Sequence, residues 1–155
     1  MLLNLLHWLH DTPLSEAIRQ TRWSMPVFLV FHALGMTLLI GTIIIVSLRL
    51  LGVMMRKRPI QEIETQLKNW SLAGMAMMLV SGLLLFMPEP LRWYGSSSFW
   101  IKMTFLFLAL LFHFTVYRWV TRTNDVHPLI ARISGGLALL LWYGVAVGGR
   151  ALTFE

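Results

Sequence analysis

Four long apolar runs separated by short polar segments dominate this chain. They run from about Met25 to Leu48, Trp70 to Met87, Phe99 to Val120 and Ile130 to Val147. Each is close to the ~20 residues that cross ~30 Å of hydrocarbon at a rise of 1.5 Å per residue. The backbone of such a run must satisfy its own polar groups inside lipid, so each run reads as a transmembrane helix. Charged residues make up 13% of the chain against roughly 25% in a soluble domain, and they cluster between the runs. The expected architecture is all-α: one integral membrane four-helix bundle spanning residues 1–155, with residues 1–22 as an interfacial segment.

The stops agree with this division. Pro26 suits the first turn of the first span, Pro88-Glu89-Pro90 ends the second, Gly95-Ser96-Ser97-Ser98 leads into the third, and Gly148-Gly149-Arg150 closes the fourth. Upstream, residues 1–11 carry leucines and Trp8 on one broad side, with Asn4, His7 and Asp11 recurring on another. A short helix lying in the interface is expected, broken at Thr12-Pro13, with a second short helix starting near Ser15 under a Ser or Thr cap. The segment has no basic n-region, and Asn4, His7 and His10 interrupt its apolar run, so it does not read as a cleaved signal peptide.

Basic residues set the orientation. Arg49, Arg56, Lys57, Arg58, Lys68, Arg118, Arg122 and Arg132 fall on one side; Arg19, Arg22, Arg92, Lys102 and Arg150 fall on the other. The richer side is expected in the cytoplasm, which puts both termini on the outer face of a bacterial inner membrane. The formal charge of +6 is accounted for by these flanks, and nucleic acid is not an expected partner. Membrane lipids are, together with a larger membrane complex or a second copy of the chain. Trp93, Tyr94 and Trp100 sit where an aromatic belt would. Small residues in every span, among them Gly35, Gly41, Gly74, Gly82, Ala109, Gly135 and Gly136, allow close helix packing.

Two histidines lie within the apolar runs, His32 in FLVFHALG and His113 in LLFHFTVY. An ionisable group at that depth is costly and points to function, although an imidazole can also serve as neutral glue between helices. The chain has no cysteine, which excludes thiolate metal sites, covalent haem attachment and iron–sulfur clusters. Neutral imidazole remains as a ligand for b-type haem, with His32 and His113 as iron ligands and His7 or His10 as alternates folding over His32. Register puts the two buried histidines about 12 Å apart along the membrane normal, so one shared iron and two separate sites both stay open.

Lys102 shares a helical stripe with His113 and sits near the outer boundary, where it reads as an interface anchor or as a cation for a propionate, a quinone oxygen or an anionic lipid. Arg150 and Arg22 belong to the same layer, with Arg150 alongside Lys102 as a cofactor-binding candidate. The methionines, densest at Met75, Met77 and Met78, read as packing filler more readily than as a Cu(I) site. The sequence holds no Walker loop, no serine–histidine–acid set in evident register and no paired intramembrane carboxylates.

Trp23, Pro26, His32, Gly35, Gly41, Arg49, Lys102, His113, Trp142 and Arg150 together resemble the pattern of a family of small four-helix bacterial membrane proteins of unknown function. The likeness covers most of the chain and departs at Ser47, where an Asp is more usual. A more distant resemblance, through a first-helix histidine and a third-helix lysine eleven positions before a histidine, is to the membrane-embedded protoporphyrinogen oxidases; b-type cytochrome bundles are similar in architecture. Two buried histidines in a cysteine-free bundle lead to the expectation of a b-type haem-binding or redox-associated protein, with electron transfer to or from quinone as an extension; the enzymatic alternative is porphyrin or quinone oxidation in the outer half of the bundle, with Lys102 and Arg150 holding acidic groups. The non-catalytic alternative is a small structural or assembly subunit.

Overall fold

The computed structural model describes residues 1–55, 57–123 and 126–151; Arg56, counted above among the basic residues, lies outside them. The described residues are helical with no strand, and four helical stretches are long and apolar enough to cross a membrane. They are α3 (Ser24–Leu50), α4 (Ile60–Phe86), the continuous run Ser97–Arg122, and α8 (Pro128–Ala151). The third comprises α6 (Ser97–Phe112), a π-helical turn (His113–Tyr117) and α7 (Arg118–Arg122). Before and between them lie α1 (Leu2–His10), α2 (Pro13–Gln20) and α5 (Pro90–Gly95).

The spans begin and end close to where hydropathy puts them, with one clear exception. Helix α4 starts at Ile60, ten residues before the apolar run, because Gln61, Glu62, Thr65 and Lys68 continue the helix beyond the hydrocarbon. This polar turn is tied to the third span by Gln61 Nε2 donating to the Thr123 carbonyl at 3.0 Å and by an Arg122–Glu64 ion pair at 3.8 Å. The α3–α4 loop is shaped by Gly52, whose φ of +76° is open to glycine at little cost. The Gly52 and Val53 amides bond the Arg49 and Leu48 carbonyls, closing α3 in a Schellman motif.

Helix α3 is the centre of the bundle, packing against α4 on one side and α8 on the other, while α8 also packs on α6. Close approach explains the order. A Cβ added to Gly35 would lie 2.7 Å from the Met78 amide nitrogen and 2.9 Å from the Gly74 carbonyl oxygen; one added to Gly74 would lie 2.8 Å from the Leu39 nitrogen. Gly135 meets the Ser47 carbonyl oxygen and Gly148 the Lys102 backbone in the same way. With lipid as solvent, burial of apolar area does not drive helices together, and such backbone contacts carry the packing. Gly41 and Gly136, also expected at crossings, face open space. Leu39, Ile43, Val46, Met78, Trp142 and Val145 fill the core between the crossings.

The end of the bundle where α3 starts is closed by the short helices. Thr12 caps α2 by accepting the Ser15 amide, so Ser15 lies inside the helix and is not its cap. The fully buried Ser15 hydroxyl instead donates to the Met87 carbonyl at 3.0 Å, and His10 Nδ1 donates to the Pro88 carbonyl at 3.2 Å. These are carbonyls at a helix end, with no intrahelical partner. Helix α1 rests on α5, and Phe86 stacks on Phe99 at 5.4 Å, joining the second and third spans at this end. Trp100 and Tyr94 meet edge to face, with Trp100 Nε1 donating to the Tyr94 carbonyl.

Candidate functional site

Polar side chains inside the bundle fall into two layers. The layer nearer the short helices is built on His32, which α3 presents to α4 at a point where Gly82 has no side chain. A Cβ there would sit 3.2 Å from His32 Cε1. His32 Nδ1 donates to the Met78 carbonyl at 3.0 Å and lies 3.1 Å from Ser81 Oγ, while Ser81 donates to the Met77 carbonyl. In a neutral imidazole one nitrogen donates and the other accepts, so Nε2 carries the lone pair. It has no hydrogen-bond partner among the described residues. Lys102 lies toward the same end of the bundle, near the start of α6. Its backbone lies against Gly148, and its ammonium extends along Gly149. Arg150, exposed and with a partner of its own, follows directly.

The second layer lies toward the basic loops. Here His113 opens the π-helical turn and stacks on Tyr117, with ring centroids 5.3 Å apart and planes 24° from parallel. Trp142 meets the His113 ring edge-on at 6.3 Å. The i→i+5 bonding of a π turn takes up an extra residue, and such turns recur at functional sites. Beside this stack is a cavity of about 80 Å³. Thr42, Ile43 and Val46 of α3 and Leu67, Ser71 and Leu72 of α4 form its walls, and Glu64, Lys68, Arg118 and Arg122 rim it. Among the described residues the Ser71 and Tyr117 hydroxyls are buried without a hydrogen-bond partner, as is that of Ser47, which faces Tyr117 without completing a bond.

The structure places His32 and Lys102 toward the end where α3 and α6 start and keeps His113 away from both. His113 is level with Thr42–Val46, ten or more residues beyond His32 on α3, or roughly 15–20 Å along the helix. On α4 the gap is similar: His32 meets Met78–Gly82, whereas the His113 cavity meets Glu64–Leu72. The two imidazoles therefore do not face a common centre. Nor do the expected alternates reach His32. His10 is held by the Pro88 carbonyl and by the Arg19 guanidinium, and His7 is exposed on α1. No group of three metal-ligating side chains occurs among the described residues. Met75 and Met78 are core residues, 4% and 2% exposed.

Sequence reasoning passed over Ser71, Thr42 and Glu64, and met Ser47 only as a departure from the family pattern and Lys68 only as a flanking charge. The available signal was the gathering of hydroxyls in three apolar runs toward the same, basic end. It is weak, because a hydroxyl in a membrane helix can always bond its own backbone, as Thr42 does to the Leu39 carbonyl at 2.8 Å.

Four apolar helices enclosing polar side chains at two depths define an α-helical multi-pass membrane protein. The chain belongs to a family of unknown function (DUF6644), which it matches over residues 25–155. No curated protein and no solved structure matches it.

Proposed function

We propose that this chain is a b-type haem-binding, redox-associated protein of the bacterial inner membrane, with His32 as the iron ligand and both termini outside. The observation that carries the reading is the His32 hydrogen bond: Nδ1 donates to the Met78 carbonyl, which orients the ring and leaves Nε2 as the lone-pair nitrogen. Metal-bound imidazoles are held in this way by a carbonyl on the far nitrogen. A cysteine-free chain has imidazole as its natural haem ligand. Lys102, toward the same end of the bundle, would supply a cation for a propionate. Haem held there would supply one-electron exchange when bound. The inner cavity, at about 80 Å³, holds a few waters and not a porphyrin, so His113 is not assigned to the iron.

The test is the reduced-minus-oxidised visible spectrum, with haem quantified per chain. Wild type and His113→Ala should show a b-type spectrum at one haem per chain, and His32→Ala should lose it. Equal loss in both variants would restore a shared site. A wild type that stays colourless after haem addition overturns the reading in favour of a structural or assembly subunit, recognised by co-purification with a stable membrane partner.

The Lys102 ammonium, which extends along Gly149 next to Arg150, favours a second reading, in which the outer layer oxidises a porphyrin or a quinone, as the distant resemblance to protoporphyrinogen oxidases implies. Lys102→Ala would then abolish turnover of an added porphyrinogen or quinol while haem content stays at the wild-type level. Unchanged turnover in that variant removes the second reading and leaves the first in place.

A further inference from the structure

The rim of the inner cavity is built from two matching stripes. On α4, Glu64, Lys68 and Leu72 follow one another at one-turn spacing, and on the antiparallel third span Arg122, Arg118 and Phe114 do the same in reverse. All six line the cavity. The Arg122–Glu64 ion pair at 3.8 Å fixes the register. One turn toward the hydrocarbon, Lys68 therefore comes opposite Arg118, and one turn further Leu72 comes opposite Phe114. The first rung joins opposite charges, whereas the second sets two cations on the two sides of one groove.

Among the described residues the side chains of Lys68 and Arg118 have neither an ion pair nor a hydrogen bond. Cations that share a groove repel, and an anion held between them turns that repulsion into attraction. The third rung is apolar and faces outward: Leu72 and Phe114 are 42% and 46% exposed, and on a spanning helix such surfaces meet acyl chains. Trp70 and Trp119, also exposed, accompany the cations on the same two helices, as aromatic residues do where hydrocarbon gives way to headgroups. An occupant of the groove thus meets positive charge at headgroup level and apolar surface about 6 Å deeper. A glycerophospholipid has its phosphate and its chains in that order, whereas a free anion gains nothing from the third rung. The one carboxylate of the groove is already paired with Arg122, so the ammonium of a zwitterionic headgroup would meet an excess of positive charge.

We propose that the groove between α4 and the third span binds one anionic glycerophospholipid from the leaflet at the basic end, with its phosphate between Lys68 and Arg118 and an acyl chain along Leu72 and Phe114. Basic pockets between spanning helices hold anionic headgroups in this way. The phosphate stays at the rim, and the closed-off hydroxyls of Ser71 and Tyr117 take no part. The site is separate from the outer layer and stands whether or not His32 holds haem.

The experiment is native mass spectrometry of the full chain released from dodecyl maltoside micelles and titrated with dioleoylphosphatidylglycerol. Wild type should retain one phosphatidylglycerol per chain, in preference to phosphatidylcholine and phosphatidylethanolamine at equal concentration. Lys68→Gln and Arg118→Gln change exposed side chains and should each weaken binding about tenfold, the value of one charge-assisted hydrogen bond. Glu64→Gln releases Arg122 to the groove and should tighten binding, a gain that no damage to the fold would produce. Lys57→Gln, on the same basic side but outside the groove, should bind as wild type does. An equal loss in Lys57→Gln would mean that overall positive charge attracts the lipid, and would overturn the proposal. Equal retention of the zwitterionic lipids would overturn it too, as would complete displacement by excess inorganic phosphate, which would make the groove a site for a soluble anion.

Discussion

Two glycines make the clearest demands on single positions. At Gly35 and Gly74 the two helices touch backbone to backbone, so an added side chain meets atoms that cannot rotate away. Gly35→Val or Gly74→Val should each destabilise the bundle by about 2 kcal/mol or more. Gly41, with nothing within 4 Å of an added Cβ, is the control: Gly41→Ala should be neutral or stabilise by up to about 1 kcal/mol, since Gly weakens a helix interior relative to Ala. Unfolding midpoints in mixed micelles would separate the two classes. All three glycines were equally visible in the sequence as small residues. Which of them lies at a crossing depends on the rotation of α3 about its axis, and apolar residues on every side of a membrane helix give no signal for that angle. The same reasoning covers His32 and His113. Counting along each run put them about 12 Å apart in depth, short of the roughly 15–20 Å in the packed bundle, and the neighbours of each ring required that bundle.

Helices α1 and α2 are fastened to the bundle by few polar contacts, and Ser15 is the most buried of them. Ser15→Ala removes the donor to the Met87 carbonyl in a site closed to water, and should cost about 1–2 kcal/mol. The loss should be local: hydrogen exchange within Pro13–Gln20 should speed up while the four spans keep their protection. An equal loss of protection in α3 would show that the cap is part of the main cooperative unit. A Ser or Thr cap for α2 was readable because a hydroxyl accepting an amide two or three residues on is a local interaction, although the helix starts at Pro13 and not near Ser15. The π turn at His113–Tyr117 was not. Nothing in LLFHFTVY distinguishes i→i+5 from i→i+4 bonding, and a stripe drawn at 100° per residue through Lys102, His113 and Tyr117 continues unbroken where the real helix changes phase. That phase change helps set His113 flat against Tyr117 and beside the cavity.

Because the bundle has four antiparallel spans, the start of α3 and the end of α8 lie at one end, with the α3–α4 and α7–α8 connections at the other. The proposed orientation puts the basic connections inside. The natural chain has no cysteine, so single cysteines report on sides without background. Lys57→Cys should react with an impermeant maleimide in inverted vesicles and not in spheroplasts, and Arg22→Cys should do the reverse. The opposite pattern would turn the protein over, putting the His32 layer next to the cytoplasm.

The sequence was sufficient to establish four apolar spans and their order, because the bilayer imposes a length on every apolar run and leaves the backbone no alternative to a helix. Only the tertiary structure decided which faces meet. It set Lys102 against Gly148 and Gly149 of α8, held His113 roughly 15–20 Å from His32 along the bundle axis, and gathered Ser71, Tyr117 and Thr42 from three helices around one cavity. Contacts of this kind depend on the rotation and crossing of helices. Those angles are set by where glycines let two backbones touch, a property of pairs of helices that no single run of residues contains.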